Sequence, residues 1–302
     1  MPSKFRLNCE YYAAKVGLGL VNSLSPRMAC AGARLVGNFA YCVCAKRRRT
    51  AIDNLLKTGV AKNRAEAKSI AKSSFQSIAL TMVESILVPR MLADGKMDDS
   101  AFDISMPEET HKLFTQDIGI ITVSGHLGNW ELGAKVVSKY KPITAIARPM
   151  NNRRVQALMD AVQIRDGFET IDKHDSAPIK IVRALKKKRI LALLTDQHAH
   201  GPGSCVVDFF GMPAVTYASP AILQHMTGAP IILCFVTRTG LFKFHFEFSK
   251  PLFFEIKKET MDGDIQRATQ YIASELEARI RQNPRQYLWM HRRWKKLENK
   301  ES

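Results

Sequence analysis

The sequence predicts an α/β fold with a mainly parallel central sheet flanked by helices. Two observations lead there. Short, β-branched apolar runs alternate with longer stretches whose apolar residues recur at helical spacing. The chain, 302 residues, 46% hydrophobic and without a low-complexity tract, is also long enough to bury a sizeable core.

The elements follow in chain order. Residues 11–22 and 28–45 are apolar but interrupted by Lys15, Pro26, Arg27 and Arg34. A spanning helix needs ~20 mostly apolar residues, and a charge at its centre costs roughly 2.5–3.5 kcal/mol. We therefore expect helices lying in a membrane interface, with the basic run "KRRR" at 46–49 among anionic headgroups. This divides the chain into membrane-associated N-terminal helices, 1–49, and a main α/β domain, 50–302. Residues 62–90 carry Ile70, Phe75, Ile78, Met82 and Ile86 at helical spacing, with Pro89 as the stop.

Strands are expected at 118–124, 142–147, 189–195, 205–211 and 229–238, and helices at 129–140, 151–165, over "SAPIKIVRALKKK", in "SPAILQHMTG" and at 264–282. In "LFKFHFEFS", Phe242, Phe244, Phe246 and Phe248 alternate with polar residues, which predicts an antiparallel strand near a sheet edge.

Lys and Arg number 45 against 28 Asp and Glu, a net charge of +17. Such a surface attracts nucleic acid, anionic membrane or an acidic carrier protein. No zinc-finger spacing, RRM-type motif or basic heptad helix is present, which argues against nucleic acid. The six cysteines form no C-x-x-C pair, so reduced, buried thiols are expected rather than a metal or redox centre.

The stretch "TVSGHLGNWELGAKV" places His126 and Glu131 five positions apart, just after an apolar run. Inside one helix they would lie about 140° apart and could not meet. Gly128 permits a bend and Asn129 is a good N-cap, so a helix starting at Trp130 leaves His126 in the loop and Glu131 in the first turn. Loops after parallel strands are where sites of open α/β sheets collect. Such a pair permits general-base activation of a hydroxyl, with Glu131 holding Nδ1–H and Nε2 taking the proton. No G-x-S-x-G elbow is present, which favours direct transfer over a covalent intermediate. The spacing alone leaves open a capped turn in which Glu131 only complements the helix dipole.

"GHLGNWE" resembles the H-x-x-x-x-[DE] motif of glycerolipid acyltransferases, in the form used by the bacterial lipid A biosynthesis acyltransferases. "ARPMNN" at 147–152, "RALKKKRILALLTDQHAHGPGSCVVDFFGMPAVT", "HMTGAPIIL" and "NPRQYLWMHRRWK" resemble further blocks of that family in the same order. The resemblance covers about 30–296. It implies a glycerolipid-acyltransferase-like fold and transfer of an acyl chain from an acyl carrier protein thioester to a hydroxyl of a glycolipid, the lipid A precursor. The place would be the cytoplasmic face of the inner membrane, without cofactor or metal.

By that resemblance His126 is the base and Glu131 its partner. Arg148 would bind a lipid phosphate, because its fork grips oxygens in pairs. Arg165 is a candidate substrate or oxyanion contact, although Gln163 stands where the family often has arginine. The loop amides are the other oxyanion candidates, and Asn129 and Gly128 count among the substrate-binding residues. Asp196 and Gln197 match the family's "DQ" and are expected to brace their loop. His198 and His200 beside Asp196 also allow a metal reading, which the family does not need. Arg292 and Arg293 read as structural or surface charge, with headgroup contact the second reading.

Two alternatives stand beside this reading. One is an acyl-CoA-dependent transferase acting on a glycophospholipid or lysophospholipid. The other is a non-enzymatic basic protein binding membrane or nucleic acid, which a steep salt dependence on DNA without acyl transfer would favour.

Overall fold

The computed structural model describes residues 3–147, 150–163, 168–172 and 177–295. Four helices open the chain: α1 (Lys4–Ser23), α2 (Pro26–Val43), α3 (Ala45–Lys57) and α4 (Arg64–Ala93). Then come β1 (Phe102–Ser105), α5 (Glu108–Thr115), β2 (Ile120–Ser124), α6 (Trp130–Val137), β3 (Ile143–Ala147), α7 (Arg153–Gln163), β4 (Phe168–Asp172), α8 (Ala177–Lys186) and β5 (Ile190–Leu194). A hairpin of β6 (Ser204–Phe209) and β7 (Met212–Tyr217) precedes α9 (Ser219–Thr227), β8 (Ile231–Gly240), β9 (Lys243–Phe248) and α10 (Met261–Gln282).

Seven strands form one sheet in the order β1-β9-β8-β2-β5-β3-β4. From β8 to β4 every neighbour is parallel; β9 runs antiparallel to β8, and β1 parallel to β9. Both faces of the sheet are covered, as a parallel sheet requires. Ile121 and Val123 of β2 enter one apolar cluster with Phe235, Leu276 and Trp289. Ile120 enters the other with Val136, Ile232 and Phe246.

The connections place the site. From β2 the chain passes through α6 to β3, beyond β5; from β5 it turns the other way, to β8. β2 and β5 are thus adjacent strands with diverging exits, the crevice where open α/β sheets bind ligands.

The Phe strand is antiparallel to β8 and near the sheet edge, as expected, one place in because β1 pairs outside it; Phe242 sits in the preceding turn at φ 54°. Other expectations are corrected. β1, β4 and β7 were not expected; β1 is short and mostly exposed, and β7 contains Pro213, which reads as a breaker. Its place in a two-stranded hairpin spares that proline a central ladder position.

Pro89 does not end α4, which continues to Ala93. Proline cannot donate to the carbonyl four residues earlier. Lys135 donates to that carbonyl of Ser85 instead, so the missing bond is replaced. The thiols of Cys9, Cys42 and Cys44 are exposed rather than buried; Cys30 and Cys234 are buried, and all six are free.

α2 presents two apolar faces. Ala29, Cys30, Ala33 and Gly37 are buried against α4, so closely that a Cβ at Gly37 would lie 2.6 Å from the Gln76 Cα. On the opposite face Met28, Leu35, Val36, Phe39 and Val43 are exposed. α1 has no buried residue and exposes Phe5, Tyr12, Val16 and Leu20. Among the described residues, α4 is the one helix long and apolar enough on its own to cross a membrane, but much of it is buried inside the protein, including Ser74, Thr81 and Glu84.

Candidate active site

In the register of β2 on β5, Ile120 faces Ile190 and Ser124 faces Leu194. Carried two residues past the strand ends, the same register brings His126 opposite Asp196. The Asp196 Oδ1 accepts from His126 Nδ1 at 2.8 Å, and its Oδ2 accepts from the His126 backbone N–H at 3.0 Å. Tyr287 is buried near the same carboxylate, and burial and then the Asp196 charge raise its pKa. Asp196 is buried, whereas 19% of the His126 side chain is exposed.

Burial works to lower the His126 pKa, but the Asp196 charge, its hydrogen bond and the Glu131 charge outweigh it, and the value is raised. Burial likewise pushes Asp196 up, and the imidazole's charge and the hydrogen bonds bring it below the ordinary carboxylate value. Nδ1 is therefore a protonated, oriented donor, and Nε2 carries the lone pair. This corrects the expectation that Glu131 holds Nδ1: Asp196 does, and Glu131 acts on the imidazole by charge. Asp196 also ties its loop to that of His126 through the His126 backbone N–H.

The loop carrying His126 is built closely into the fold. Gly128 has φ 60°, and a Cβ there would lie 1.8 Å from the Val236 carbonyl oxygen. Asn129 caps α6, its side chain accepting from Leu132 N at 3.1 Å and donating to Glu84 at 2.8 Å. Asn129 is fully buried and Gly128 buried, so both belong to the scaffold rather than to a substrate-contacting surface.

Residues 286–288 close over this loop. Gly128 N–H donates to the Gln286 carbonyl, Leu288 N–H to the His126 carbonyl, and Leu127 pairs with Tyr287 as an antiparallel bridge. Ser74 in turn donates to the Tyr287 carbonyl. Beneath lies a buried ion pair. Arg238 Nε donates to both Glu84 oxygens at 2.8 and 2.7 Å, while its other nitrogens donate to Ser77 and Thr81.

A cavity of about 200 Å³ opens beside the imidazole, between α6 and the sheet. Trp130 and Glu131 lie on its lining, and the Trp130 ring meets His126 edge-on at 5.0 Å. Small side chains make the space: Gly133 and Ala134 of α6 line it together with Ala145 and Ala192 of β3 and β5. Cys234 and Val236 line it further in, and burial pushes the Cys234 thiol up to about 12. Burial of this kind leaves the thiol an inert wall.

Gln197 places its amide nitrogen 3.3 Å from His126 Nε2. The His198 and His200 rings stack edge-on at 4.6 Å, and Lys295 Nζ lies 3.4 Å from His200 Nε2. Among the described residues no three His, Cys, Asp or Glu side chains converge as a metal-ligand set. Arg293 is buried and donates to the Val215 carbonyl and Thr216; Arg292 is exposed. Arg148 and Arg165 lie outside the described residues.

A model of the family described as bacterial lipid A biosynthesis acyltransferase matches residues 4–296. The chain belongs to that family. Among its relatives is the lipid A biosynthesis palmitoleoyltransferase of Escherichia coli (strain K12), 25% identical over 294 residues, which cover 96% of this chain and 93% of the relative. The lauroyltransferase of the same organism is 26% identical over 239 residues, covering 76% and 73%. The lipid A biosynthesis acyltransferase of Shigella flexneri is 25% identical over 294 residues.

Proposed function

We propose that this protein transfers a fatty acyl chain from a thioester, with acyl carrier protein as donor, to a hydroxyl of a lipid A precursor. One observation carries the reading: an imidazole held at Nδ1 by a buried carboxylate, with its Nε2 facing the Gln197 amide, near a narrow apolar cavity. Family membership supports the reaction class. The acyl chain lies in the cavity between α6 and the sheet, which sets its carbonyl carbon near His126. Nε2 takes the proton of the acceptor hydroxyl as its oxygen attacks that carbon, a role worth about 10²–10⁴ in rate. Asp196 stabilises the imidazolium that forms. Glu131 adds negative charge at the cavity mouth, which favours the same state.

The net charge of +17 favours an acidic carrier protein as donor. The test is transfer with purified protein from dodecanoyl acyl carrier protein or dodecanoyl-CoA to a lipid A precursor, products read by mass. Preferential use of the carrier protein is expected. Preference for CoA would move the protein to the acyl-CoA alternative, and transfer from neither donor would sink the reading.

The same proposal places the protein on the cytoplasmic face of the inner membrane. The exposed apolar faces of α1 and α2 lie beside exposed Arg27, Arg34, Lys46, Arg47 and Arg49, a pattern suited to lying in an anionic interface. Leu35→Glu with Phe39→Glu is expected to abolish co-flotation with vesicles containing phosphatidylglycerol. Unchanged flotation would place the contact elsewhere.

A further inference from the structure

We infer that the Gln197 carboxamide donates to the oxyanion that forms on the thioester carbonyl; the role rests on the acyl-transfer reading. The loop amides are ordinary candidates for this task, but those of residues 126–129 are all engaged. His126 N–H donates to Asp196, Leu127 to Gly125, Gly128 to Gln286 and Asn129 to Val236, at 3.0, 2.7, 3.0 and 2.9 Å. A side-chain donor at the base nitrogen is what the geometry offers, and Gln197 sits there.

Its amide nitrogen, 3.3 Å from Nε2, occupies the place an acceptor hydroxyl must take to hand over its proton. An arriving hydroxyl displaces the amide from the lone pair but not from the site. The acceptor oxygen then bonds to the carbonyl carbon, whose own oxygen comes within reach of the displaced N–H. The backbone of Gln197 is held through its neighbour Asp196, which takes two hydrogen bonds from His126, while the Gln197 side chain keeps rotatable bonds to make the move. An uncharged donor also serves without the repulsion that a lysine or arginine would exert on the imidazolium.

The step balances without a further reactant. The acceptor O–H proton goes to Nε2 as the C–O bond forms, and the carbonyl π pair moves onto oxygen, where Gln197 donates. The pair returns, the C–S bond breaks, and the leaving thiolate takes the proton from Nε2.

The test uses the full chain with dodecanoyl acyl carrier protein and a lipid A precursor as probes. Gln197→Met keeps length and removes the donor. Its kcat is expected to fall about 10²–10³-fold, with KM for both substrates within about threefold of wild type. In the substrate-free protein, a nitrogen-resolved titration should show the His126 pKa rising, because a donor to its lone pair is lost. Gln197→Ala, which leaves the space empty, should give the same split. A kcat within about threefold of wild type in both variants overturns the assignment, as does an equal loss through KM. Absence of transfer in the wild type sinks the acyl-transfer reading and this role with it, whereas the titration reports the contact independently of activity.

Discussion

In Asp196→Asn, kcat is expected to fall about 10³–10⁴-fold, and in His126→Ala to the level without a general base. The carboxylate accepts from His126 Nδ1 and from the His126 backbone N–H. An asparagine offers an NH₂ to one of these donors, and facing Nδ1 it drives the imidazole into the tautomer protonated at Nε2. That form cannot act as base. Glu131→Gln should cost less, because Glu131 reaches the imidazole through its charge. The reverse ranking, with Glu131→Gln the more damaging, would return the orienting role to Glu131.

The pH dependence has a defined sign. The neutral imidazole is the base, so the rate rises with pH through the His126 pKa. Asp196 and Glu131 hold that value above the ordinary 6.5 against the effect of burial, so the acid limb of kcat/KM lies above it in the wild type. Without the Asp196 charge, burial prevails, and the residual activity of Asp196→Asn should show an acid limb shifted down. An unshifted limb would detach that carboxylate from the base.

The largest stability loss is expected from splitting the Glu84–Arg238 pair. Burial pushes Glu84 up and Arg238 down, the desolvation cost of placing both charges inside. Each offsets the other, and Asn129, Ser77 and Thr81 satisfy the remaining polar atoms. Glu84→Ala leaves a buried guanidinium without its counter-charge and should cost about 3–5 kcal/mol. Because Asn129 loses its acceptor at the same time, the cap of α6 loosens and activity falls with stability. The double variant Glu84→Met with Arg238→Met should cost less than the sum of the two single changes. Denaturant midpoints read both. A single-variant loss under about 1 kcal/mol, or strict additivity, would show that the pair contributes little.

What the sequence made legible is what depends on neighbours in the chain. Gly128, Asn129 and the start of a helix at Trp130 follow from local turn and cap chemistry, and the structure has them in those roles. The partner of His126 depends on which strand lies beside β2. Glu131, five positions away, is visible to a reader of the chain; Asp196, seventy positions on, becomes adjacent only through the order of the sheet. A signal was present, since both residues stand two places beyond a short apolar run, but nothing local says that the two runs pair. Glu84 and Arg238, 154 positions apart, meet for the same reason. The cavity escaped notice because it is made by absent atoms, at Gly133, Ala134, Ala145 and Ala192.

The closure of residues 286–288 over the His126 loop bears on how the enzyme comes into being. A nascent polypeptide exposes its histidine long before the segment that frames it has left the ribosome. The hydrogen bonds that frame the His126 loop therefore form only after residues 286–288 have been made.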